Sequence, residues 1–126
     1  MPIHLTVSHQ EKLVRATAVG IVTVDDLQSY MGSVIAQGAM PYAKLFHIRK
    51  DARMGGPGRL SEVADTVRLY DKMKLGEIGP LAVVAESEEA VAHAEAFLRA
   101  APARRDARLF ASLEEAESWL RAEGFL

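Results

Sequence analysis

Five consecutive apolar residues, Leu81 to Ala85, are followed by Glu86, a serine, and then apolar positions recurring at helical spacing. A strand with no polar side belongs inside a sheet covered on both faces, where parallel strands are the usual occupants. In the helix after it, Ser87 is the N-cap and Glu88 and Glu89 fill the first turn. Ala90, Val91, Ala94, Phe97, Leu98 and Ala101 share one face until Pro102 ends it. Arg108 to Phe110 predicts a short last strand. Ser112 and Glu115 have the spacing of a capping box for a final helix with the stripe Leu113, Ala116, Trp119 and Leu120. Gly124 and Phe125 then suit a Schellman close, with Phe125 folding back on Leu120.

The first half reads in the same terms. His4 to Ser8 and Leu13 to Val19 are β-like runs separated by the polar stretch His9 to Lys12, which predicts an antiparallel hairpin. Thr23 offers an N-cap hydroxyl, Asp25 and Asp26 lie in the first turn, and Leu27, Tyr30, Met31, Val34 and Ile35 recur at helical spacing. Gly38 and Pro41 stop this helix, and Lys44 to Ile48 follows as a strand. Leu60, Val63, Ala64, Val67 and Tyr70 mark a second helix, with Gly76, Gly79 and Pro80 punctuating its exit. The expected fold is one α/β domain over residues 1–126. It has a sheet of about five strands, the first antiparallel and the rest mostly parallel, packed with four helices.

Composition narrows the classes. A chain of 126 residues is one domain by length, and 49% hydrophobic with 25% charged residues is the balance of a folded globule. A net charge of -2 argues against a nucleic-acid binder, which needs clustered cations. With no cysteine there are no disulfides, thiolate nucleophiles or sulfur-ligated zinc, and a cytoplasmic location is the expectation. The beginning, MPIHLTVSHQ, has no basic region followed by an apolar core, and no apolar run reaches the ~20 residues of a membrane span.

Candidate chemistry gathers in the loop after the third strand, because ligands of open α/β sheets collect outside the carboxyl ends of strands. This loop holds Arg49, Lys50, Arg53 and Arg59. Gly55, Gly56 and Gly58 would let backbone amides approach a ligand, and the next helix presents its N-H groups. Together with Ser61 and His47 these form a candidate site for a small anion, although neither a dinucleotide nor a P-loop pattern is present. Alternatively the loop is a solvated connector whose arginines keep it in water. His47, near the carboxyl end of its strand, suits a general base or ligand contact, or else a buried histidine satisfied by a carbonyl. The four histidines show no ligand-spaced pair on a helix, so no metal or other cofactor is expected. No G-x-S-x-G elbow is present. The pairs Asp25/Asp26, Glu88/Glu89 and Glu114/Glu115 belong to first helical turns, and Arg104 and Arg105 to a solvated turn. Met31, Met40, Met54 and Met73 are candidates for ordinary core packing, or for a partner surface or lipid-sized cavity, with a groove between the first two helices as one form of it.

The order of elements, the LAVVA strand of Leu81 to Ala85, the closing Leu109, Phe110, Ala116, Trp119 and Leu120, and the GIVTVDDLQSY turn of Gly20 to Tyr30 resemble the SpoIIAA-like (STAS/Sec14-like) bacterial group. The resemblance covers nearly the whole chain. It implies a small non-enzymatic domain, its relatives including antagonists of anti-sigma factors, regulatory tails of anion transporters and lipid-carrier-like folds. In the antagonists a loop Asp-Ser-Ser or Asp-Ser-Thr motif takes a phosphate. Here that region reads HIRKDARMGGPGRLSEV, and its nearest hydroxyl, Ser61, stands between Leu60 and Glu62, so the phospho-site departs from the pattern. His47 stands where closer relatives carry an acidic residue. The expected role is a non-catalytic regulatory or protein-interaction domain, with a protein partner or a homodimer. The alternative is binding of a small anionic or lipid-like ligand at the loop.

Overall fold

All five residues of the Leu81–Ala85 run are buried, as a strand without a polar side requires. The computed structural model describes residues 2–73, 75–100 and 106–126, so Ala101, Pro102, Arg104 and Arg105 lie outside the described residues. Its elements run β1 (Ile3–Ser8), β2 (Leu13–Ala18), β3 (Ile21–Val22), α1 (Val24–Ala36), β4 (Ala43–Ile48) and β5 (Arg53–Met54). The chain continues through α2 (Leu60–Lys72), β6 (Leu81–Ala85), α3 (Glu88–Ala100), β7 (Ala107–Phe110) and α4 (Leu113–Ala122). The main sheet has the order β1-β2-β4-β6-β7. Its first pair is antiparallel and the other three pairs are parallel, in the arrangement the sequence predicts. The pair β3–β5 was not legible beforehand, because two residues carry no periodicity.

Side chains alternate across the sheet and divide the core into two layers. Val14, Ala16 and Ala18 of β2, Phe46 of β4, and Leu81 and Val83 of β6 face α1, α2 and α3. Leu13, Ala43, Leu45, Ala82 and Val84 face the other way, where Ala116 and Leu120 of α4 seal them together with Phe110 and Trp119. Leu120 is wholly buried, and enclosing a leucine contributes about 1.5–3 kcal/mol.

Local capping explains where the helices start and stop. The Thr23 hydroxyl accepts from the Asp26 N–H at 3.1 Å while the Asp26 carboxylate accepts from the Thr23 N–H at 2.8 Å, a complete capping box. At Ser112 the box is half formed. Its hydroxyl accepts from the Glu115 N–H at 3.2 Å, but Glu115 turns its carboxylate to that hydroxyl. The Schellman close of α4 is present: Phe125 N–H donates to Leu120 O at 2.8 Å and Gly124 N–H to Arg121 O at 3.1 Å. α1 ends the same way at Gly38 and Ala39. Among the described residues of the predicted stripes two are exposed, Ile35 and Leu113. Ile35 falls at the edge of the face that buries Met31 and Val34, in the last turn of α1; Leu113 is the first residue of its helix.

Candidate functional site

Parallel pairing of β4 with β6 aligns Ile48 with Ala85, so the next residue of the second strand, Glu86, arrives beside the end of the first. His47 points to the α4 side of the sheet, and its Nε2 hydrogen-bonds the Glu86 carboxylate. That hydrogen bond holds the Glu86 carboxyl below its ordinary value. Burial works the other way, while the charges of His47 and Arg49 and the backbone N–H of Lys50 add to the lowering. The imidazole is therefore fixed in orientation by a carboxylate, an arrangement that positions a histidine for proton exchange or for holding a polar group. Glu86 escaped sequence reasoning because it lies 39 residues from His47 and follows an apolar strand, where a single charge looks like a strand end.

The glycine-rich loop is docked on its own chain. β5 pairs with β3, Arg53 N–H donates to Gly20 O at 2.8 Å, and Gly55 N–H donates to Val22 O at 2.9 Å. A Cβ on Gly55 would fall 2.6 Å from Ile21 Cγ2, and one on Gly56 would press on Thr23. Gly58 has φ +99 and its added carbon would stand 3.0 Å from Val24 Cβ. The close approach these glycines permit is thus to β3 and the start of α1. Arg59 is the N-cap residue of α2 without a side-chain cap bond, and Ser61 is exposed in the first turn. The predicted residues fall into two groups. His47 and Arg49 gather with Glu86, whereas Gly55, Gly56, Gly58, Arg59 and Ser61 run along the approach to α2.

Beneath the opposite face of the sheet lies an apolar cavity of about 120 Å³. Its floor is Phe46 and Ile48 of β4 with Leu81 and Val83 of β6. Its roof comes from α1 (Leu27, Tyr30, Met31, Val34), α2 (Leu60, Val63) and α3 (His93, Ala94, Phe97). Tyr30 and Phe46 meet edge to face, with ring centroids 5.2 Å apart. Met40 and the buried Lys44 complete the wall, the Lys44 ammonium donating to the Met40 and Tyr42 carbonyls. Two of the four methionines singled out from the sequence, Met31 and Met40, are therefore in this wall, while Met73 is exposed.

No protein-family model matches this chain, and no curated protein matches it. Among the described residues no helix is long and apolar enough to cross a membrane. Nor is any group of three or more histidine, aspartate or glutamate side chains placed to hold a metal ion among them.

Proposed function

We propose that this chain is a non-catalytic regulatory domain that holds a small apolar group between the sheet and α1, α2 and α3. The observation that carries the proposal is the 120 Å³ cavity walled by aliphatic, aromatic and methionine side chains. An engineered apolar cavity of about 150 Å³ takes up benzene, so this one matches a single ring or a short chain. A resident ligand would cover the apolar side chains that line it.

The element order from β1 to α4 supports the SpoIIAA-like resemblance and, with it, a role in regulation. Exposed Leu69, Met73 and Leu75 at the end of α2 support a protein partner or a homodimer within the same reading. The test is a thermal melt and a methyl NMR spectrum of the protein with and without benzene. Uptake raises the melting temperature and shifts the Met31 and Met40 methyl resonances. No rise and no shift at saturating benzene removes the proposal.

A further inference from the structure

Beside the cavity lies a second, smaller space of about 50 Å³, under the β5 loop at the carboxyl ends of β2 and β4. Ile48 and His93 stand in the walls of both spaces. The smaller one is otherwise lined by Ala18, Val22, Ala52, Met54 and Ala90, and it carries two charged side chains, Arg53 from the loop and Glu89 from α3. Arg53 Nε lies 3.6 Å from one Glu89 oxygen, and His93 Nε2 lies 3.7 Å from the other. Charge-assisted hydrogen bonds close to about 2.7–2.9 Å. The Glu89 carboxylate therefore rests between a guanidinium and an imidazole without closing on either. All three side chains are about half exposed, so this rim opens to solvent.

We infer that the ligand is a small carboxylate, with a ring or a chain of about six carbons in the cavity and its acid group at the rim, where it takes over the place of the Glu89 carboxylate between Arg53 and His93. The inference rests on the cavity reading and adds the head group. The volume admits one short apolar group and excludes a two-chain lipid. The rim sets the sign: a guanidinium held on the Lys50 and Ala52 carbonyls is fixed in place and favours an anion over an alcohol or an amine. Ile48 and His93 line both spaces, so they mark the place where the tail position passes into the head position.

The experiment titrates phenylacetate, 2-phenylethanol and phenethylamine into the intact protein by calorimetry, with Arg53→Gln and Glu89→Gln alongside. Phenylacetate should bind about fivefold tighter than 2-phenylethanol, and phenethylamine weakest, the scale of a half-exposed charge pair. Arg53→Gln should reduce the preference for the acid to less than about twofold. Glu89→Gln should tighten phenylacetate and leave 2-phenylethanol unchanged, which keeps the test informative if Arg53→Gln fails to fold. Equal binding of acid and alcohol overturns the head-group assignment while the cavity reading stands. An acid preference that survives Arg53→Gln overturns its placement. Binding of none of the three, with no response to benzene, overturns both.

Discussion

The imidazole of His47 and the carboxylate of Glu86 meet across the carboxyl ends of two neighbouring parallel strands, 39 residues apart in sequence. Glu86 titrates below its ordinary 4.5 because the native state favours its ionised form, chiefly through the His47 hydrogen bond. A depressed carboxyl contributes stability that is present above the unfolded value and is lost as pH falls through the folded one. Glu86→Gln should accordingly lower the melting temperature at pH 7, and the gap to wild type should shrink as the pH is taken below about 4. A gap that does not change with pH would show that the carboxylate contributes nothing through its charge.

Leu120 and Leu113 sit on the same helix, the first enclosed and the second partly open to solvent. Leu120→Ala removes a fully enclosed side chain and should cost about 2–5 kcal/mol in denaturant unfolding. Leu113→Ala, at a position 37% exposed, should cost less than about 1 kcal/mol. Glu117→Ala breaks a 3.2 Å surface pair with Arg15 and should also stay under about 1 kcal/mol.

Gly79 lies against backbone. A Cβ there would stand 2.2 Å from the Tyr42 carbonyl oxygen and 2.4 Å from that of Pro41, in the same turn whose Met40 carbonyl accepts the Gly79 N–H at 2.7 Å. Gly79→Ala should destabilise by about 3 kcal/mol or more, since no side-chain rotation relieves a clash with carbonyls. Gly124→Ala meets open space and only the left-handed backbone penalty, about 1–2 kcal/mol. Comparable losses in the two variants would contradict this packing.

Ala94 faces the cavity from α3. Ala94→Leu keeps helix propensity and places three more carbons in the void, so it should raise stability by about 0.5–2 kcal/mol and abolish the benzene-induced rise in melting temperature. A variant that still responds to benzene would mean that the ligand binds elsewhere.

What the sequence revealed depended on how local each cause was. The burial of Leu81 to Ala85, the caps at Thr23 and Ser112 and the close at Gly124 follow from residues within a few positions of one another, and all are present. The cavity follows from what five elements fail to fill, and no window along the chain contains that information; Met31 and Met40 were the trace it left. The packing of the loop was illegible for a related reason. Gly55 and Gly58 do permit close approach, but the neighbour they admit is Ile21 and Val24 of the same chain, which no spacing rule identifies. Glu86 and Glu89 looked like a strand end and a helix start, and met His47 and Arg53 only when β4 and β5 were brought alongside.

The two rungs joining β3 to β5 tie Arg53 to Ile21 and Met54 to Val22, immediately ahead of the Thr23 cap. The rim and the threshold of α1 are consequently joined through backbone, and Ile21, 69% exposed, stands on the rung they share.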